Sequence, residues 1–514
     1  MKRILFSLGM VLLCALLFAG ISTVVLMVAP GTEIFGIRYV SLMAGNGSAD
    51  ITPNISADQW LNIQNIEIET GTAPIIIERN NVSAGEVHFY QAFVGFTKDD
   101  IEAPTLEYNV EAETNTLKLK TAELNKFGIA TNECYLKVSL PGGLSKVETI
   151  SITSKNSPLT IQGESKITLQ NLNVKGNSGI TFSIKEMSVQ NINVSQTISS
   201  LTIPSSVTVG GNVTYETTVG NLKIESAIGG DINANTTAGM IYFNSCKNFT
   251  ANTDAGSVRS VSSDVKNQVY GNFYFTTALG DCEVYQIHGT EAVVKTQYGK
   301  VNIEHVPTLT INAEHGQINV NHVQSAIVTS STSTMNFPFV ENSIYITTTY
   351  GAVNLGDEDG SVSNVDISTE SSKITIQNAI GFVKVNASAN AKVVLQNKSA
   401  NHIYIATAGD VSAKGLVGNV QIYTFGKLYA EFESVDSATI VAKDETVDVK
   451  IMQNQDVKYK LQTDKNMIVE RDLESLEEIR KLSKNYVDEA YDSAAHKLYI
   501  RAQGAVVDIY KKTA

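Results

Sequence analysis

The 514-residue chain has one Trp, nine Pro and four Cys, and charged side chains make up only 18% of it. So little proline rules out a proline-rich linker and leaves few positions that would interrupt a backbone ladder. Four cysteines, one of them Cys14 in an apolar run, do not amount to a disulfide framework. Cys134, Cys246 and Cys282 read as small buried hydrophobes. Basic residues are in deficit, 39 against 52 acidic, for a formal charge of −13, which excludes the cationic field that nucleic acid requires. Nucleophile elbows, His-Glu-x-x-His pairs and phosphate-binding glycine loops are also missing. The lone Trp60 lies before the main body, which therefore has no tryptophan platform for sugars. A hydrophobic content of 43% excludes a wholly disordered chain.

What is present begins with an address. Ile4 to Ala29 carries no charge and is long enough to cross a hydrocarbon layer of roughly 30 Å as a helix. Lys2 and Arg3 precede it and Arg38 is the next basic residue, so the positive-inside rule keeps the N-terminus cytoplasmic and the remainder outside. A cleavable signal peptide is the rival, but its apolar region is shorter; a lipoprotein signal at Cys14 would place Leu13 where a small residue belongs.

The body repeats itself. Gly299-Lys300-Val301-Asn302-Ile303-Glu304-His305-Val306 returns 17 residues later as Gly316-Gln317-Ile318-Asn319-Val320-Asn321-His322-Val323. After Gly239, Gly299 and Gly316 the apolar residues fall in one register, and weaker copies begin at Gly220, Gly256, Gly280, Gly351, Gly409 and Gly426, several behind a Thr/Ala-rich corner. Gln170 to Val174 returns 20 residues later as Gln190 to Val194. Within each copy apolar and polar residues alternate at a spacing of two, the period of a half-buried strand. One such unit cannot bury its apolar row alone; stacking buries it continuously. The expected fold is all-β: a parallel, right-handed β-solenoid (β-helix) of about 17 coils at about 4.8 Å per layer, with capping strands, an N-terminal transmembrane helix and one short C-terminal helix. A stack of β-sandwich modules is the rival architecture.

The boundaries that follow are a cytoplasmic stub at 1–3, a transmembrane signal-anchor at 4–29, a juxtamembrane tether at 30–60, an N-terminal β cap at 61–144, solenoid repeats at 145–450 and a C-terminal cap at 451–514. Within the last, the spacing of Leu473, Leu476, Ile479, Leu482, Tyr486 and Val487 predicts a helix over 472–491. Leu498 to Ile500 and Val506 to Ile509 read as a closing strand pair, and Ser333 to Asn342, with Pro338 and no glycine, reads as an irregular coil.

The passage from Leu140-Pro141-Gly142-Gly143 into Thr-x-x-Gly-x-Val-x-Ile repeats, ending in Leu498-Tyr499-Ile500-Arg501-Ala502-Gln503-Gly504-Ala505-Val506-Val507-Asp508-Ile509, resembles the bacterial adhesin-like family of β-strand repeats, a domain of unknown function. The resemblance covers roughly residues 60–514. It implies a membrane segment or signal, a β-solenoid, and a binding role with no catalytic residues to transfer.

Candidate chemistry is sparse. His305 and His322 share one repeat position, with Gln286 in the coil before, and two stacked imidazoles offer a Zn²⁺ pair without an evident third ligand. Asp357 and Asp359, in the Gly356 to Gly360 loop with Asp366 beyond, are candidates for Ca²⁺, although the spacing fits no EF-hand. A solvated polar ladder and a solvated acidic corner are the plainer readings, and no cofactor is expected. Tyr423, Phe425 and Tyr429 either stack on sugar or pack a corner. The functional expectation is a cell-surface adhesin, single-pass and extracellular, that is not an enzyme. Its partners are the membrane and an unknown surface protein or glycan. A structural or regulatory envelope scaffold is the alternative, and a polysaccharide-acting β-helix enzyme the weaker one; of basic residues suited to such catalysis, the body holds the single arginine Arg259.

Overall fold

The structure is a computed structural model. It describes residues 33–34, 37–38, 45–79, 84–95, 104–122, 129–142, 147–177, 179–443, 445–453, 455–464 and 468–512. The expected stub at 1–3 and the transmembrane segment at 4–29 lie outside these. Among the described residues no helix is long and apolar enough to cross a membrane. The fold is an all-β parallel solenoid with very little helix, of about 15 turns in all. Corner insertions use up the residues of the remaining expected coils; Val258, for example, pairs with Cys282 across an inserted loop. The chain divides into two compact units, Met1–Gly220 and Asn221–Ala514.

In the second unit the repeat is realised residue for residue. Val301, Ile303, Val306, Leu309, Ile311 and Ala313 all point inward and are buried, as are Ile318, Val320, Val323, Ala326 and Val328 one coil on. Cys282, Val284 and Gln286 pair in parallel with Val301, Ile303 and His305. Phe243, Phe249 and Phe273 stack through the interior at 4.7 and 5.1 Å between ring centroids. Cys246 and Cys282 fill core positions, and burial pushes both thiols up, which makes them inert packing groups.

Glycine is required at one corner because the coils touch there. A Cβ on Gly256, Gly280, Gly299 or Gly316 would lie 2.2, 1.9, 1.9 or 2.0 Å from the carbonyl oxygen of the glycine one coil back. The preceding threonine locks the same corner. Thr407 Oγ1 donates to the Ala391 carbonyl at 2.7 Å and accepts from the Gly409 N–H at 3.0 Å; Thr424 repeats this with Gly409 and Gly426 at 2.6 and 3.1 Å. The segment expected to be irregular pairs in register from Ser333 to Phe337, breaks at Pro338, and shifts register between Val340 and Ser343. Ser333 stands at the glycine position opposite Gly351, and its hydroxyl accepts from Ser330 at 2.6 Å. Pro338 falls in the break between the strands Ala292–Phe337 and Phe339–Leu355, where its missing N–H interrupts no ladder.

In the first unit Asn65–Thr70 and Ile75–Arg79 form a coil held on both sides. Asn65–Thr70 pairs in parallel with Thr116–Ala122 and with Thr149–Ser154, and Ile75–Arg79 with Ile129–Leu140 and Leu159–Gly163. The outermost coil is therefore the later one, and antiparallel strands cover it: Thr105–Glu111 on Thr116–Ala122, and Glu86–Gly95 on Ile129–Leu140. Part of the expected tether belongs to this cover, since Gly45–Ile51 pairs with Glu86–Gly95. Trp60, in the short helix Ala57–Asn62 capped by Ser56 and Gln59, is buried. Two asparagine ladders run up the outside, Asn193 to Asn173 at 2.8 Å and Asn191 to Asn171 at 3.0 Å.

The C-terminal end uses the same device. Lys497–Gln503 lies between Ser437–Lys443 and Lys458–Thr463, and Val507–Lys511 between Val447–Ile451 and Ile468–Asp472. The last two strands are thus two walls of one inserted coil, not partners of each other. The helix expected over 472–491 is absent. Glu478–Leu482 pairs antiparallel with Ile468–Asp472, and Asn485–Val487 with Lys458–Thr463. Asp472 Oδ1 accepts from the N–H groups of Glu474 and Ser475 at 3.1 and 2.7 Å, and Leu476 adopts φ 61°, which reverses the chain. An open coil edge offers a ladder of unpaired donors and acceptors, and closing it outweighs helical periodicity. Leu476, Ile479 and Val487 stay exposed. Glu470, 4% exposed, is met by Arg480 from the returning strand, which pins the hairpin to the coil.

Two stability measurements check this account. Gly299→Ala forces the backbone apart at the corner and should lower unfolding free energy by about 1–3 kcal/mol in a urea titration. Arg480→Ala strands the buried Glu470 carboxylate and should cost about 2 kcal/mol, with hydrogen exchange rising first in Ile468–Asp472.

Candidate functional site

His305 and His322 sit one above the other, as the repeat requires, but the rings meet edge to face at 5.3 Å. His322 Nε2 is 2.7 Å from Glu341 Oε1, and its ring packs on Phe339 at 4.5 Å. His305 adds a contact to Tyr285 at 6.1 Å. The acidic corner is divided among other tasks. Asp357 Oδ1 accepts from the N–H groups of Asp359 and Gly360 at 3.0 and 2.6 Å, and Asp366 pairs with Lys384 at 2.9 Å. Among the described residues no group of three or more His, Cys, Asp or Glu side chains is placed to hold a metal ion. Arg259 is engaged by Asp281 at 2.9 Å. Tyr429 is tied to Glu431 at 2.6 Å, and burial followed by that hydrogen bond pushes its hydroxyl up. Phe425 projects from its corner.

A groove of the second unit lies elsewhere, on the wall that leads into the glycine corner. It has a volume of about 820 Å³ and runs across consecutive coils. Its floor is a column of outward residues, Thr276, Lys295, Asn312, Thr329, Thr347 and Ser368. Strand pairing sets the column: Thr276 is opposite Lys295, Thr329 opposite Thr347, and Thr347 opposite Ser368. Asp254, Glu314 and Glu370 stand along the corner side. Beyond them Leu279, Tyr298 and Tyr350, each directly before a corner residue, are about half exposed, and Tyr298 stacks on His315 at 4.9 Å. Behind the groove Thr296, 5% exposed, is on the inward row at the corner, where its hydroxyl, like that of Thr236 at the same repeat position, is buried without a hydrogen-bond partner.

A groove of 580 Å³ in the first unit differs in its electrostatics. Most of its charges are paired: Lys118 with Glu67 at 3.9 Å and with neighbouring Glu111 at 2.7 Å, and Lys120 with Glu69 at 3.1 Å, while Glu107 forms no ion pair with a described residue. In the second unit's groove Lys295, Asp254, Glu314 and Glu370 form no ion pair with a described residue. Sequence reasoning missed this groove because it followed the inward rows. The signal was in the outward ones: small polar residues recur before the corner, and Leu279, Tyr298, His315 and Tyr350 recur immediately ahead of a glycine.

Because the two imidazoles lack a converging third ligand, a His305→Gln, His322→Gln chain should take up as much Zn²⁺ as the parent in equilibrium dialysis.

Among solved structures, the chain is similar to a candidate adhesin from Bacteroides fragilis, at 14% identity over 59% of this chain and 97% of that one, with a TM-score of 0.19. It is also similar to a candidate cell adhesion protein from Clostridium sporogenes, at 11% identity over 48% and 100%, with a TM-score of 0.18. No curated protein matches the chain. A family match falls on the coils that carry the groove: residues 244–414 match the model of the Toastrack DUF4097 family, a domain of unknown function.

Proposed function

We propose that the protein is a membrane-anchored, cell-surface binding protein that adheres to a host or neighbouring-cell surface through the side of its solenoid and performs no catalysis. The observation that carries this reading is the groove on the second unit, where charged and hydroxyl side chains without ion-pair partners are presented by a stack of hydrogen-bonded coils. A wall of this kind holds side chains at fixed spacing, so binding costs little ordering of the protein. The apolar run from Ile4 to Ala29 behind Lys2 and Arg3 supports anchoring with the body outside. The net charge of −13 argues against nucleic acid or an anionic surface as partner. Catalysis is disfavoured by the dispersal of the acids: Asp254, Glu314 and Glu370 belong to different coils, and Arg259 is engaged by Asp281.

Cells displaying the full chain should lose it to external protease and should bind intact target cells or matrix proteins saturably. A Val301→Asp, Ile303→Asp chain, with charges forced into the core, should bind nothing. Display without binding to any surface would turn the reading toward an envelope scaffold.

A further inference from the structure

The groove of the second unit also indicates the chemistry of its occupant. Every wall strand beneath it hydrogen-bonds to a coil on either side, so the backbone has no free edge to which a peptide strand could add. Recognition falls to side chains, and these have a definite character. Thr276, Asn312, Thr329, Thr347 and Ser368 each both donate and accept hydrogen bonds, in one column, at about 4.8 Å per coil. That step is close to the rise of one unit in an extended sugar chain, so successive coils can meet successive units in the same way.

Flat apolar surface flanks the column on both sides. Tyr298 and Tyr350 stand at the corner, 50% and 51% exposed, and Tyr345, two residues before Thr347 on the same face of its strand, is 47% exposed. Tyrosine offers a ring face to the C–H face of a pyranose and a hydroxyl to its polar edge. Asp254, Glu314 and Glu370, free of ion pairs, accept charge-assisted hydrogen bonds from hydroxyl or ammonium groups and repel carboxylate, sulfate and phosphate.

We infer that the groove binds an extended polysaccharide strand, uncharged or bearing amino groups, laid along the stack of coils across the Thr276 to Ser368 column. This rests on the surface-binding reading above and gives that reading its ligand class.

The test titrates the full chain, in detergent, with soluble β-glucan and chitosan oligosaccharides of increasing length, with polygalacturonate and an oligolysine peptide as comparators. The expected result is binding to an uncharged or amino-bearing oligosaccharide that tightens with chain length. Thr347→Arg, which obstructs the column, and Tyr350→Ala, which removes an exposed ring, should each weaken it by about tenfold or more. Both side chains are exposed, so thermal unfolding should not move; if the first variant fails to fold, the second still decides. Preference for polygalacturonate or oligolysine, binding unaffected by the variants, or no saccharide binding overturns the inference. Cell binding by the same proteins separates the two readings. If the chain adheres to cells and Thr347→Arg adheres equally, adhesion stands and the polysaccharide groove falls; if neither cells nor saccharides are bound, both fall.

Discussion

On each wall of this protein the backbone of one coil is satisfied by the coils on either side of it, and the rest of the structure answers to that dependence. It brings neighbouring coils into contact at their corners, which is why a Cβ on Gly280 or Gly299 would strike the carbonyl of the previous glycine. It also places the hydroxyls of Thr407 and Thr424 between one coil's carbonyl and the next coil's N–H. Hydrophobic burial supplies most of the driving force, but the ladder dictates that apolar residues come in rows.

The same dependence makes the ends a problem, because a last coil has nothing to pair with. Both ends solve it in the same way. At the C-terminal end the chain overshoots by one coil, folds antiparallel strands over the outer edge, and returns to fill the layer it skipped; at the N-terminal end the same arrangement is laid down in reverse, the inner coil first and the outermost coil after it. The ladder is thereby closed with strands of opposite direction, which do not continue the parallel register. At the C-terminal end the closure is fastened by the Glu470–Arg480 pair, whose buried carboxylate has a strong electrostatic preference for that one hairpin position.

A ladder closed in this way leaves the outward side chains as the means of interaction, and this connects fold to function. The second unit sets hydroxyl, amide and ammonium groups at one residue per coil along a single line, with carboxylates and tyrosines beside it. The groove of the first unit uses most of its charge on itself, in the Lys118–Glu111 and Lys120–Glu69 pairs. The contrast is electrostatic: groups already neutralised by neighbours have little to gain from a ligand.

The repeat, the strand period, the inward rows and the glycine corners were all legible in the chain, because each depends on residues within one coil or at a fixed offset from it. Val301, Ile303, Leu309 and Ile311 are buried where alternation places them, and His305 and His322 share a column because they are one repeat apart. The apolar run at the N-terminus is equally a local property. What only the tertiary structure decided is everything that depends on which edges remain open once the coils have stacked. The 472–491 segment has helical spacing yet folds as strands, because the terminal coil offers unpaired amides that a helix would leave exposed. The order of the end coils is not chain order, for the same reason. The groove belongs to this class too: its floor joins residues separated by coils of unequal length, and only the hydrogen-bonded register between those coils brings Thr276, Lys295, Thr347 and Ser368 into one line.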